Sequence, residues 1–422
     1  MRPLTAEILT IGDELCRGEI VDTNSSFLAS ALWERGIVAT WLTSCRDEKD
    51  DVLTALAAAA GRADLILCSG GLGPTEDDLT VDCVSAGLGV EPVIHEPSRE
   101  RMVERFAALR FEMTPNNIRQ VRVPAGARAF DNSAGLAPGF EVVFPAPGGK
   151  SVPLFAMPGP PRELRAIWDD HVVARLGELA PERAHVAKKI LRCFGRGESH
   201  LDHALRGFVD GVPGASVHYQ VSYPETLVKL VVRGAREVAE ATLAELVAEA
   251  RRRLGDAVYG EDDATLAATL HAALQTRGAT LGAAESCTGG LLGTLYTDVP
   301  GVSSTFLGSV VAYAYEAKVA LLGVQKATLD AHGAVSEACA REMARGARDR
   351  LGATWAIAIT GIAGPAGGTP DKPVGTVHLA VAGPGGAERV KHLAWRGSRE
   401  QIRRLAAFWG MALCLRAIEE TT

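Results

Sequence analysis

No Cys-x-x-Cys pair occurs among the eight cysteines of the chain (Cys16, Cys45, Cys68, Cys83, Cys193, Cys287, Cys339 and Cys414). Neither a zinc site nor a disulfide framework is legible, and reduced, mostly buried thiols are expected. The segment after Met1 lacks the apolar core of about 7 to 15 residues that a secretory signal needs, so a cytoplasmic location is expected. Residues 351–370 carry no charge, but five glycines and two prolines, Pro365 and Pro370, interrupt them. That pattern argues against a spanning helix and for a strand followed by a glycine-rich loop. There is no long basic run: 44 Lys and Arg face 51 Asp and Glu, for a formal charge of −7. A surface that tracks nucleic-acid phosphates is therefore disfavoured, and no nucleic-acid partner is expected. Several catalytic signatures are also missing. Gly149-Lys150-Ser151 imitates the end of a phosphate-binding Walker loop, but Phe144 stands where its first glycine belongs. His95-Glu96 lacks the second histidine of a zinc protease, and no Ser-x-x-Lys pair is present.

What is present is an ordinary globular composition, 47% hydrophobic and 23% charged over 422 residues, with a mean hydropathy of +0.08. At about 150 residues per domain this suggests two or three domains. From residue 6 onward, apolar runs, glycine turns and amphipathic segments alternate, the pattern of strand-helix alternation and a parallel sheet. Strands are expected at 7–11, 37–43, 64–68 and 152–156, and helices at about 24–35 and 50–60. Residues 188–253 read as a small α+β module, in which His200 and His203 fit a solvated helix face. Alternation resumes with a helix over 264–276, strands at 306–313, 355–360 and 374–382, and a helix from Ser336. The expected fold class is α/β, two doubly wound domains (1–172 and 259–422) joined by a small α+β middle module (173–258).

Three loops, at Gly12, at Ser69–Asp78 and at 157–161, leave the carboxyl ends of expected strands and enter helices. Such ends share one edge of an open parallel sheet, where ligands bind. Glycines admit a phosphate to backbone N–H groups, and helix N-termini add partial positive charge. Asp77 and Asp78 are hard oxygen donors suited to a divalent cation. The same residues also suit ordinary turns, with the two aspartates complementing a helix dipole.

Ser286 falls at a strand-to-helix turn, where a hydroxyl projects and nearby N–H groups can receive an oxyanion. Ala284 and Thr288 occupy the glycine positions of Gly-x-Ser-x-Gly, so that elbow is absent. A plain helix cap by Ser286 or Thr288 explains the same residues. A serine nucleophile needs a base. Tyr313 and Lys318 are the nearby candidates, and Lys318 qualifies only if burial lowers its pKa; otherwise it is a solvated lysine beside Glu316. Cys287 is a rival nucleophile. The runs Thr360–Gly368 and Pro373–Val377 can line a pocket or form surface turns.

The runs Gly12-Asp13-Glu14, Asp22-Thr23-Asn24, Gly70 to Thr80 and Pro158-Gly159-Pro160-Pro161 resemble the CinA (competence/damage-inducible protein A) family, whose first domain is similar to the MoaB/MogA molybdopterin-binding fold. Glu285–Gly290, Tyr313–Lys318, Gly333–Glu337, Thr360–Gly368 and Lys372–Val377 look like the PncC-type nicotinamide mononucleotide amidohydrolase domain at the end of long CinA chains. The resemblance implies two hydrolases of pyridine nucleotide recycling. The first is an ADP-ribose pyrophosphatase using a divalent cation of the Mg²⁺ or Co²⁺ class on Asp77 and Asp78. Its ligand contacts would be Gly12, Asp13, Asn24, Gly70, Gly71, Gly73, Thr75, Pro158 and Gly159. The second is a cofactor-free amidase with Ser286 as nucleophile and Lys318 and Tyr313 moving protons. Its substrate would be held by Thr288, Gly289, Gly290, Thr360, Gly361, Gly364 and Gly368. Tyr315 and Ile359 depart from the resemblance, which expects smaller or more polar residues there. A homodimer is implied, with no membrane partner. The alternatives are a non-catalytic first domain that binds a pterin or nucleotide, and a competence-linked regulatory scaffold.

Overall fold

The structure, a computed structural model, describes residues 4–179 and 185–421. By contacts it divides into two compact units, residues 1–187 with Arg233–Glu240, and Lys188–Val232 with Ala241–Thr422. Among the described residues no helix is long and apolar enough to cross a membrane.

The first unit is built on β1 (Thr5–Ile11), β2 (Val38–Cys45) and β3 (Leu65–Ser69). A short pair, β4 (Pro92–Ile94) with β5 (Arg122–Pro124), stands apart from the main sheet. The sheet is completed by β6 (Arg128–Phe130), β7 (Gly139–Ala146) and β8 (Lys150–Met157) in the order β2-β1-β3-β8-β7-β6. Its first four strands are parallel. The parallel pattern expected from the sequence stops there: β7 and β8 form an antiparallel hairpin through Pro147–Gly149, and β6 pairs antiparallel to β7. Two glycines at positive φ, Gly148 and Gly149, make that turn possible. Alternate residues of β1 and β3 enter two different cores. Leu9, Ile11, Ile66 and Cys68 pack with Val52 and Leu56 of the helix Lys49–Arg62. Ala6, Ile8, Leu65 and Leu67 pack with Leu28 and Leu32 of the helix Thr23–Trp33. Helices thus cover both faces, as an α/β sheet requires.

The second unit holds most of a sheet made of β9 (His185–Cys193), β10 (Ala215–Ser222), β11 (Glu225–Gly234) and β12 (Val258–Glu261). Its order, β10-β11-β9-β12, is a split βαβ pattern with helices after β9 and β11. His200 and His203 are exposed on the first of those helices.

The last sheet comprises β13 (Leu281–Glu285), β14 (Phe306–Val311), β15 (Trp355–Gly361), β16 (Thr376–Ala382) and β17 (Glu388–Ala394), ordered β14-β13-β15-β16-β17. Only β14, β13 and β15 are parallel; β16 and β17 run antiparallel. Its two faces differ in side-chain size. Leu281, Ile357, Ile359, Leu379 and Val381 meet the helix Arg399–Glu420 on one face. On the other, Ala284, Ala356, Ala358, Ala380 and Ala382 meet Ala340, Ala344 and Ala347 of the helix Glu337–Leu351. Small residues on both partners let that helix sit close. Its Gly346 carries the closeness one step further: a Cβ there would lie 1.8 Å from the Leu322 carbonyl oxygen. The helix Tyr315–Leu322, which carries Lys318, is thereby pressed inward.

Candidate functional sites

In the first unit, the carboxyl ends of β1, β3 and β8 line a cavity of about 620 Å³. Gly12, Gly70, Gly71, Gly73, Thr75, Asp77, Asp78, Pro158 and Gly159 all reach it, as do Glu14 and Asp47. The glycine loop is tied tightly to its neighbours. At Gly70 φ is +103° and a Cβ would meet the Ile11 carbonyl oxygen at 2.2 Å, so only glycine fits there. Asn24 donates from Nδ2 to Ser69 Oγ (2.9 Å) and to the Gly159 carbonyl (2.7 Å), joining two of the three loops. Asp13 does not line the cavity. Its N–H donates to Asp47 Oδ2 (2.8 Å), the Asp47 N–H donates back to Asp13 Oδ1 (3.3 Å), and its carboxylate also pairs with Arg17.

The two aspartates expected to hold a cation differ. Asp77 is exposed. Asp78 is half-buried, and its Oδ2 accepts from the Thr75 N–H (2.8 Å) and hydroxyl (2.6 Å), bracing the loop rather than a helix, which begins at Thr80. Asp47, which the sequence did not single out, shares the cavity. Burial pushes its carboxyl pKa up, and the charges of Glu14, Asp13 and Asp78 push it further, against a backbone hydrogen bond that lowers it. Among the described residues no three acidic, imidazole or thiol groups already converge on a metal position. The donor set therefore fits a cation held by one or two carboxylates and by phosphates of its ligand, as Mg²⁺ commonly is, rather than a cage of protein ligands.

In the second unit Ser286 directly follows β13, and its N–H donates to the Ile359 carbonyl (3.0 Å). The helix beyond begins at Leu291 with Gly290 as its cap residue. Its first N–H groups are capped not by the Ser286 or Thr288 hydroxyl but by the fully buried Glu285 carboxylate, which accepts from Gly290, Leu292 and Gly293 (each 3.0 Å) and from Ser309 Oγ (2.7 Å), while the Leu291 N–H donates to the Thr288 carbonyl (3.2 Å). Released from capping, the Ser286 side chain faces Lys318. Lys318 Nζ lies 3.0 Å from Ser286 Oγ, 2.7 Å from the Ala312 carbonyl oxygen and 3.1 Å from that of Tyr313. This lysine is 1% exposed. Burial drives its pKa down, only weakly opposed by the Cys339 and Cys287 sulfurs. It is not the solvated partner of Glu316 that the sequence allowed.

Cys287 turns the other way, into the apolar core, and burial lifts its thiol to about 11. It is a poor nucleophile at neutral pH. The N–H groups of Gly289 and Gly290 are already committed, the first to the Ser286 carbonyl (3.0 Å) and the second to Glu285. Among the described residues the Thr288 N–H has no backbone acceptor, and the buried Thr288 hydroxyl has no hydrogen-bond partner. The Tyr313 ring is exposed, and its hydroxyl lies 3.5 Å from Arg399 Nη2. Thr360 spends its hydroxyl on the Ala334 carbonyl (2.8 Å), and Tyr315 accepts from the Ala334 N–H (3.2 Å). Gly361 and Gly368 permit close backbone approach, with Cβ positions 2.7 Å from Val377 and 2.8 Å from the Val374 nitrogen.

Two arginines of the last helix, which no motif singled out, complete this site. Arg399 Nη1 donates to the Gly364 carbonyl (2.7 Å). Arg403 donates to the Thr288 carbonyl from Nη2 (2.6 Å) and Nε (3.2 Å).

Comparison with known proteins gives three consecutive family matches. Residues 7–178 match a probable molybdopterin binding domain, 188–260 the damage-inducible protein CinA KH domain, and 263–418 the CinA C-terminal domain. A "CinA-like protein" of Anaeromyxobacter sp. (strain Fw109-5) is 47% identical over 417 residues, 97% of this chain and 98% of the relative. A "putative competence-damage inducible protein" of Moorella thermoacetica is 41% identical over 402 residues, 95% of each chain. Among solved structures, the competence/damage inducible protein CihA of Agrobacterium tumefaciens is 37% identical, covers 36% of this chain and 93% of its own, and has a TM-score of 0.36.

Proposed function

The chain belongs to the CinA family, and from that premise we propose that its second unit is a serine amidohydrolase converting nicotinamide mononucleotide and water to nicotinate mononucleotide and ammonia. One observation carries this reading: the buried Lys318 amine has two backbone carbonyls and one serine hydroxyl as neighbours. A neutral amine has two N–H bonds and one lone pair. Its protons satisfy Ala312 and Tyr313, and the lone pair is left for the Ser286 O–H.

Lys318 takes that proton as Ser286 Oγ bonds to the carboxamide carbon, whose electrophilicity the cationic pyridine ring raises. The developing oxyanion is received by the Thr288 N–H. The C–N bond then breaks and Lys318 returns the proton to the departing ammonia. A water enters, gives its proton to Lys318 and attacks the acyl carbon, and Ser286 leaves with the proton restored. Arg399 and Arg403 give the rim the positive charge that suits a nucleotide phosphate. The test is ammonia release by wild type and by folded Ser286→Ala. A loss of about 10⁴-fold or more is expected when a nucleophile is removed; a variant retaining a tenth of the activity overturns the reading.

For the first unit the second reading is hydrolysis of the ADP-ribose pyrophosphate. The raised Asp47 carboxyl beside Glu14, Asp13 and Asp78 favours it, because a divalent cation would relieve that crowding. Asp77 and Asp78 would hold the cation, with Asp47 lining the same cavity, and the Gly70–Gly73 loop would hold the phosphates. When bound, the cation would neutralise phosphate charge and activate water. No nucleic-acid role is assigned to the middle module, whose Gly-x-x-Gly run, Gly211–Gly214, follows Asp210 and leads into β10.

A further inference from the structure

The helix Arg399–Glu420 is gripped from two sides within the second unit. On one side it reaches the serine site through Arg399 and Arg403. On the other, its first turns meet the hairpin between β10 and β11. Tyr223 Oη donates to the Gln401 carbonyl (3.0 Å). Glu225, 7% exposed, pairs with Arg192 (3.0 Å) and feels the charge of Arg404. Glu225 Oε1 and Arg404 Nε are each buried without a hydrogen-bond partner. Further along the same helix, Phe408 and Trp409 pack against the Phe194 ring in tilted contacts, with centroids 5.6 and 4.9 Å apart. The middle module therefore holds the very helix turn whose arginines hold the Ser286 turn and the Gly364 loop.

We propose that Tyr223 of the middle module is a positioning residue for the serine site, setting the first turns of the last helix and, through Arg403 and Arg399, the Ser286 turn and the Gly364 loop. The proposal rests on the amidohydrolase reading for its substrate. Geometry gives it a chain of direct contacts: hairpin to Gln401, Gln401 to Arg403 within one helical turn, Arg403 to the Thr288 carbonyl, and Thr288 two residues from the nucleophile. Tyr223 bonds to the helix backbone rather than to Ser286 or Lys318, so its effect is expected as altered geometry rather than lost chemistry.

The test uses full-length Tyr223→Phe. Two quantities are read: ammonia release from nicotinamide mononucleotide, and hydrogen–deuterium exchange of the amides in 286–293 and 361–368. Tyr223→Phe is expected to lower kcat/KM about two- to tenfold, the reach of one hydrogen bond, and to quicken exchange in both segments with the thermal midpoint little changed. Combined with Arg403→Lys, its loss should fall short of additive, because both act on one turn. Unchanged exchange in the two segments together with additive losses overturns the proposal. So does exchange that rises uniformly across the unit as the thermal midpoint falls, which marks a purely structural role. If wild type releases no ammonia, the amidohydrolase reading fails, and the exchange experiment still decides: faster exchange confined to the two segments supports positioning, and none refutes it.

Discussion

The glycine-loop cavity of the first unit and the Ser286–Lys318 pair of the second both lie at the carboxyl ends of parallel strands, yet their polar groups are left in opposite conditions. Around the first, Glu14, Asp47, Asp77 and Asp78 face an open cavity whose lining, among the described residues, includes no lysine or arginine. Their mutual repulsion shows in Asp47. Around the second, the buried Lys318 amine lies against two backbone carbonyls and the Ser286 hydroxyl, and among the described residues no carboxylate pairs with it. The first arrangement suits a ligand that brings its own counter-ions. In the proposed reaction the second would supply a base from within the protein, at the cost of burying a lysine. Two sheet edges of the same kind would then serve two chemistries, and what separates them is how closely a helix covers each.

Removing metal should separate the two regions most sharply. A chelator is expected to abolish pyrophosphate cleavage of ADP-ribose while leaving ammonia release intact, both measured on one preparation; cleavage that survives chelation breaks the comparison on its first side. Lys318→Met should reduce ammonia release by about 10³-fold, within the range for loss of a general base, and should hold or raise the thermal midpoint, because it replaces a desolvated amine with an apolar chain. A fall in midpoint would mean that the amine contributes stability and is not held for chemistry.

Gly346→Ala probes the cover itself. With 1.8 Å available, the two helices must part, costing about 1–3 kcal/mol by overpacking and displacing Lys318. Ammonia release should fall with the midpoint, while ADP-ribose cleavage is unaffected. The pH dependence should follow Lys318. Its pKa is lowered in the folded protein and its neutral form is the active one, so kcat/KM is lost as pH falls through that lowered value and is full above it. A profile rising only in the ordinary lysine range would contradict the burial argument. By the same linkage, protonation is easier in the unfolded chain, so Lys318 lowers stability as pH falls below the ordinary lysine range, and Lys318→Met should flatten that dependence. The smallest effect is expected from Asp47→Asn, which should slightly raise the midpoint of metal-free protein and diminish the further rise that Mg²⁺ produces, measured by thermal unfolding with and without the ion.

Much of this arrangement was legible in the linear pattern. The runs EILTI and DLILC gave β1 and β3, and the apolar run before Ser286 gave β13, because parallel strands buried on both faces are continuous apolar segments. Ser336 is the helix cap its sequence suggested, accepting from the Cys339 N–H (3.2 Å). The antiparallel strands β6, β7 and β17 were not foreseen: β6 is only three residues long, and charged residues interrupt the apolar runs of β7 (Glu141) and β17 (Glu388, Arg389 and Lys391). The helix Arg399–Glu420 escaped because its buried residues surround it on several sides, leaving no single apolar stripe to count. With it went Arg399 and Arg403.

The sequence by itself determined the α/β alternation, the glycine loops at strand ends and the pairing of a serine turn with two nearby basic or phenolic candidates, because these depend on local backbone preference and short-range spacing. Only the tertiary structure decided that Lys318 rather than Tyr313 faces Ser286, that Glu285 caps the helix and frees the serine, and that Asp47 joins the acidic cavity. Those outcomes depend on which elements press together and how much water they exclude, and desolvation is a property of the packed whole that no residue carries along the chain.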